Sequence, residues 1–170
     1  MSKTTLLLLL GFVVTGCHVA PCGGCADWET CEAATNTCTL NAGTKFDLVA
    51  IDGEVPGDNW DPFFGAPDPF VCASVGAAES CTQDDSDDHS PSWNQELLAD
   101  LGGDELLTTT IAVRYEDSDV DSPDPICSGT VVVTSAELHA GGFDYRCTNG
   151  AWVHFALRNT ARGTPTVVGR

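Results

Sequence analysis

Ile111-Ala-Val-Arg-Tyr115-Glu-Asp-Ser-Asp-Val-Asp-Ser-Pro-Asp124 decides how this chain is read. The run from Leu106 to Tyr115 is rich in β-branched and aromatic residues and reads as a strand. It leads directly into a loop of aspartates. A second stretch has the reverse order: the acidic loop Asp61-Pro-Phe-Phe-Gly-Ala-Pro-Asp68-Pro runs into Phe70-Val-Cys-Ala-Ser-Val75, another strand. Carboxylates set this closely repel one another unless a cation sits between them. Calcium takes about six to eight oxygen ligands, and loop aspartates supply them. The pattern predicts a calcium site built from two loops at one end of a β-structure.

The neighbouring sequence extends that structure. Lys45-Phe-Asp-Leu-Val-Ala-Ile51 has apolar residues at alternate positions, as a strand with one buried face does. A Gly76-Ala-Ala turn joins Phe70–Val75 to Glu79–Thr82. Trp93–Leu98 is a shorter strand, and Leu101-Gly-Gly-Asp104 reads as a turn. Thr130–Thr134 and Ala151–Leu157 complete the set. Seven or eight short strands over about 115 residues suit an all-β sandwich. Trp93 and Trp152 fall in strand-like runs and are expected in the core. The histidines His18, His89, His139 and His154 show no metal-ligand spacing.

Composition narrows the partners. The net charge is −18 over 170 residues, with seven Lys and Arg that do not cluster. Nucleic-acid binding needs clustered cations and is excluded as an expectation. Simple electrostatic attraction to anionic lipid is excluded on the same ground.

The N-terminus carries a targeting signal. Met1-Ser-Lys3 is a positive n-region, and Leu6–Leu10 with Phe12–Val14 forms an apolar stretch too short to span a bilayer. Val14-Thr-Gly-Cys17 follows and resembles the lipobox of bacterial lipoproteins. The resemblance implies cleavage after Gly16 and lipid attachment to Cys17. It gives residues 1–16 as signal peptide, and a protein lipid-anchored in the bacterial cell envelope. His18 in place of an acidic residue points to the outer membrane.

Nine cysteines less Cys17 leave eight, an even number suited to disulfides in an oxidising compartment. Residues 17–42 form a small cysteine-rich segment with Cys22, Cys25, Cys31 and Cys38, held by cross-links rather than by a core. Three connectivities are open there, and zinc on Cys22-Gly-Gly-Cys25 is the rival. Cys72 and Cys81 face each other across the expected hairpin, and Cys127 and Cys147 pair by elimination.

In order along residues 43–160, several segments resemble the C2 domain, the calcium- and phospholipid-binding β-sandwich. Asp61-x₆-Asp68-Pro-Phe-Val resembles its first calcium loop. Ser90-Pro-Ser-Trp93-Asn94-Gln-Glu resembles its Asn-Pro-x-Trp-Asn-Glu segment. Asp117-x-Asp119 resembles the Asp-x-Asp of its third loop, and Asp124-Pro-Ile-x-x-Gly129 its closing segment. The resemblance implies an eight-stranded antiparallel β-sandwich behind the disulfide-rich segment, with residues 161–170 as a tail. It implies calcium (Ca2+) ligation by Asp61, Asp68, Asp117, Asp119 and Asp124, with Asp58 and Asp121 in reserve. Phe63 and Phe64 would insert into a membrane from the first loop; their alternative is local core.

An EF-hand reading of Asp117-x-Asp-x-Asp fails, because Ser122 stands where Gly is needed and Ser128 where Glu is needed. Asp84-Asp-Ser-Asp-Asp88 sits where many C2 domains carry a lysine-rich strand, and reads as a solvated turn.

The functional expectation is a non-enzymatic calcium-binding lipoprotein whose loops meet a phospholipid headgroup or a protein partner. The alternative is a metal-free, disulfide-stapled adhesive or scaffold domain. No nucleophile elbow, His-Glu-x-x-His or glycine-rich phosphate loop is present in the sequence.

Overall fold

The structure is a computed structural model that describes residues 22–57, 65–119 and 122–160. A hairpin of β1 (Glu29–Glu32) and β2 (Thr37–Leu40) precedes the main body. The body begins with β3 (Lys45–Glu54), β4 (Pro69–Val75), β5 (Ala78–Cys81) and β6 (Ser92–Gly102). The short helix α1 (Gly103–Leu106) leads to β7 (Ile111–Asp117) and β8 (Asp124–Val131). The helix α2 (Ser135–Ala140) leads to β9 (Gly142–Arg146) and β10 (Trp152–Asn159). Two four-stranded antiparallel sheets result, ordered β6-β3-β10-β9 and β5-β4-β7-β8. The eight-stranded sandwich expected from sequence is the observed architecture.

Alternation explains the core. Phe46, Leu48 and Ala50 of β3 and Val153, Phe155 and Leu157 of β10 point inward from one sheet. Val71, Ala73 and Val75 of β4 and Ile111, Val113 and Tyr115 of β7 point inward from the other. Successive side chains leave a strand on opposite faces, so each run presents one apolar row. Fully burying such a side chain contributes about 1.5–3 kcal/mol.

Several strand boundaries differ from the sequence reading; the strand expected from Leu106 starts only at Ile111, because Leu106 ends α1 and residues 107–110 turn. Leu101 and Gly102 continue β6 rather than turning, because Leu101 is buried and pairs with Phe46. The eighth strand starts at Asp124, before the expected Thr130, because Asp124 and Pro125 pair with the end of β7. The element α2–β9 between Thr134 and Asn149 is additional. A capping box starts its helix: the Thr134 side chain accepts the Glu137 N–H, and the Glu137 side chain accepts the Thr134 N–H. Gly141 at φ 79 ends it. Trp152 also differs, for it lies on the outer sheet face. Its indole N–H donates to Glu54 (2.9 Å), and Arg146 stands over the ring.

All eight expected disulfide cysteines are paired, as Cys22–Cys31, Cys25–Cys38, Cys72–Cys81 and Cys127–Cys147. Cys72 and Cys81 are direct partners in the β4–β5 ladder. Cys127–Cys147 joins β8 of one sheet to the residue after β9 of the other. The zinc alternative falls with the oxidation of Cys22 and Cys25.

Strand direction gives the sandwich two poles. Lys45, Gly102, Ile111 and Asn159 lie at one end, which α1 and α2 also cover. Glu54, Pro69, Asp117, Asp124 and Trp152 lie at the other. Among the described residues, no helix is long and apolar enough to cross a membrane.

Candidate functional site at the acidic pole

Asp68, Asp117 and Asp124 are brought together by pairing alone. Asp117 ends β7, lies opposite Asp124 of β8, and on its other side faces Pro69 of β4, next to Asp68. Directly opposed residues in an antiparallel pair stand about 4.5–5.5 Å apart at their Cα atoms. Asp119 follows two residues after Asp117, on the loop leaving β7. Thus four of the five expected ligands gather at the tops of three adjacent strands. Asp61, the reserves Asp58 and Asp121, and the loop phenylalanines Phe63 and Phe64 lie outside the described residues. So does Cys17.

Asp117 is fully buried. A buried carboxylate is costly unless hydrogen bonds compensate it. The Asp68 N–H donates to Asp117 Oδ1 at 2.6 Å, and the Ser118 N–H returns to the Asp68 carbonyl at 2.9 Å. These bonds stitch the start of β4 to the exit of β7.

The Asp84–Asp88 segment, expected as a solvated turn, is tied to this pole. The Asp87 N–H donates to Asp68 Oδ1 (2.6 Å), Asp88 N–H to Pro67 O (2.9 Å) and Asp85 N–H to Pro69 O (3.1 Å). Asp85 and Asp88 are half-buried, and their carboxylates accept the N–H groups of Ser92 and Ser90. The signal was available in the hairpin. With Val75 opposite Ala78 and Cys72 opposite Cys81, the chain after Thr82 must return to the level of Asp68.

The hydrogen bonds also limit what the carboxylates offer, because Asp68 Oδ1 and Asp117 Oδ1 each already accept a backbone N–H. Among the described residues, the groups of three potential ligand atoms within 4.8 Å of one another are Cys25–Glu29–Cys38 and Cys72–Glu79–Cys81. Their cysteines are oxidised to disulfides. The aspartates of the acidic pole stand near one another without forming such a closed set.

Beneath the site, Tyr115 crosses from its own sheet towards Gly53 of β3, where a Cβ would approach the hydroxyl to 3.2 Å and the Trp152 carbonyl to 2.8 Å. Trp93 packs edge-on against the Tyr115 ring (6.0 Å, 81°). Burial, then the charges of Asp88 and Glu54, raise the Tyr115 hydroxyl far above its usual range, so it stays neutral.

The architecture has counterparts among solved structures. The fold is that of a C2 domain. An isolated C2 domain aligns with a TM-score of 0.51 at 14% identity, covering 68% of this chain and 97% of that one. A single C2 domain of a plant extended synaptotagmin 1 aligns at 0.50 and 14%, covering 70% and 97%. A calcium-bound pair of C2 domains from extended synaptotagmin 2 aligns at 0.51 and 18%, covering 69% of this chain and 46% of that one. The chain therefore spans whole isolated C2 domains and about half of the two-domain structure. No family model matches the sequence. No curated protein matches it either.

Proposed function

We propose that this is a non-enzymatic, calcium-binding lipoprotein of the bacterial envelope, held through a lipid on Cys17, with its acidic pole as the docking surface. The observation that carries the reading is the buried Asp117 flanked on adjacent strands by Asp68 and Asp124, with Asp119 on the loop above. All four offer hard oxygen donors, which fit calcium and not a soft metal. Asp68, Asp117, Asp119 and Asp124 would hold the ion. It would offset their mutual repulsion and tie the β4 and β7–β8 loops together. Remaining coordination positions suit the oxygen of an anionic phospholipid headgroup. Phe63 and Phe64 are the residues we assign to insertion.

Extracellular sites of this kind bind calcium with dissociation constants of about 10⁻⁴ to 10⁻³ M. Isothermal titration of the protein with calcium tests the reading. A saturable signal lost in an Asp68→Asn/Asp124→Asn variant is expected, and no heat of binding from the wild type would refute it.

A second reading has its own support. Backbone N–H groups already satisfy Asp68 Oδ1 and Asp117 Oδ1, so the acidic pole is partly self-neutralised without an ion. A metal-free, disulfide-stapled scaffold would need nothing more. Melting temperatures with and without chelator separate the two, since a ligand specific to the folded state must raise stability.

A further inference from the structure

The disulfide-rich hairpin is docked on the pole opposite the aspartates. Trp28 meets Phe46 edge-on at 5.7 Å and 89°. Leu40 lies over Gly103, where a Cβ would collide with it. In that seam the Glu29 side chain is only 10% exposed. A carboxylate so covered needs partners. The Ala26 N–H donates to it at 2.8 Å, and Nδ1 of His139 on α2 stands 3.0 Å away. Its other neighbours are sulfurs. A carboxylate oxygen of Glu29 and Sγ of Cys25 and of Cys38 all lie within 4.8 Å of one another. In the oxidised chain those sulfurs are bonded to each other and have no charge to offer a metal.

We propose that reduction of Cys25–Cys38 creates a zinc site from Cys25, Cys38, Glu29 and His139. A dithiol reductant of the thioredoxin class supplies the two electrons. Its thiolate attacks one sulfur of the pair, the other sulfur leaves, and the reductant's second thiol completes the exchange and closes its own disulfide. The two protons of the dithiol end on Cys25 and Cys38, and pass to solvent as zinc binds. Two thiolates, one imidazole and one carboxylate are ligand types of a tetrahedral zinc centre. With bonds of about 2.0–2.3 Å, ligand atoms in such a tetrahedron stand about 3.3–3.8 Å apart. Glu29 and His139 are already near that separation. His139 lies outside the trio, but its half-exposed ring can turn towards the sulfurs. The Ala26 N–H orients the carboxylate, as hydrogen bonds to metal-ligating carboxylates do. This is not the Cys22-Gly-Gly-Cys25 knuckle, for Cys22 and its partner Cys31 take no part.

The other trio of two sulfurs and a carboxylate, Cys72, Glu79 and Cys81, supplies the contrast. Arg114 Nη2 sits 2.6 Å from Glu79. An imidazole can shed its proton and become a ligand, whereas a guanidinium stays charged and repels a dication at close range. The hairpin trio is therefore the one assigned to zinc. The consequence is mechanical. The disulfide ties Cys25 to Cys38 within one segment, and zinc would tie both to α2 of the sandwich. The hairpin is then held in either redox state. The inference uses the pole opposite Asp117 and is independent of the calcium reading.

The test titrates the full-length protein with zinc, oxidised or after reduction by a phosphine, in excess calcium to occupy sites made of oxygen alone. The reduced protein is expected to take up about one zinc per chain and the oxidised protein none. Cys25→Ser/Cys38→Ser should abolish the binding, and His139→Ala should weaken it by more than about tenfold. Cys72→Ser/Cys81→Ser should leave it intact. Cobalt in place of zinc gives a second readout. Its absorption reports tetrahedral thiolate coordination and should shift in His139→Ala. A reduced wild type that takes up no zinc would overturn the proposal. So would unchanged zinc affinity and cobalt absorption in His139→Ala, or zinc uptake that survives Cys25→Ser/Cys38→Ser.

Discussion

The two poles of this sandwich are closed by opposite chemistry. At the foot, the pole where the β1–β2 hairpin docks, apolar groups do the packing: Trp28 on Phe46 and Leu40 on Gly103, with the Glu29–His139 pair at the margin. At the acidic pole, carboxylates do it by accepting backbone N–H groups from neighbouring segments. Apolar contact is indifferent to ions. A cluster of carboxylates is not, and its repulsion grows with each member that stays ionised. The same pair of sheets therefore carries one end built for permanence and one end whose stability follows its ionic surroundings.

The largest test of that contrast is covalent. Cys127–Cys147 closes a sequence separation of 20 between the two sheets near the acidic pole. Replacing both cysteines by alanine should cost about 3 kcal/mol of global stability in urea denaturation, through the entropy regained by the unfolded chain. Replacing Cys25 and Cys38 should instead loosen the foot locally. It should red-shift Trp28 fluorescence while the sandwich keeps its midpoint.

Next in size is Asp117→Ala. It removes the acceptor of the Asp68 N–H in a buried setting and should cost about 1–3 kcal/mol. It should also abolish any difference in melting temperature between calcium and chelator. If the variant kept that difference, the ion would not sit at this pole.

Glu29→Gln at the foot should cost less than about 1 kcal/mol, since the His139 partner is half-exposed, and should leave the calcium dependence of melting intact. Tyr115→Phe should be neutral or slightly stabilising. The Tyr115 hydroxyl is buried with no hydrogen-bond partner among the described residues, so its removal relieves a desolvation cost. A marked loss of stability would show that the hydroxyl holds Gly53 and Trp93 in place.

The smallest effect is one of pH. The Asp144 carboxyl is held below its ordinary value by its hydrogen bond with His154 (2.8 Å), with Arg146 adding to it. A carboxyl depressed in the folded state contributes stability above its unfolded value of about 3.9. That contribution disappears as pH falls through the lower folded value. Because the side chain is partly exposed, Asp144→Asn should flatten the acid limb of the stability profile only slightly.

Much of the fold was legible because burial on one face of a strand writes itself as alternation. Lys45–Ile51 and Ile111–Tyr115 carried that pattern, and the pairing Cys72–Cys81 followed from hairpin length alone. Trp152 misled, because a tryptophan in a strand fits either face. The alternation of β10 places it outside, since Val153, Phe155 and Leu157 point inward, and Glu54 and Arg146 flank it there. The α2–β9 element escaped notice because a helix of six residues leaves too short a period to read, although Thr134 and Glu137 spelled its cap.

The sequence by itself determined a cross-linked, strongly acidic β-sandwich with aspartates at its loops, since alternation, cysteine parity and charge are local or additive properties. Tertiary structure decided the rest: which cysteines of the disulfide-rich hairpin pair, and that this hairpin and the aspartates occupy opposite poles. Those facts depend on strand register and direction, which link residues far apart in the chain and leave no mark on either segment alone.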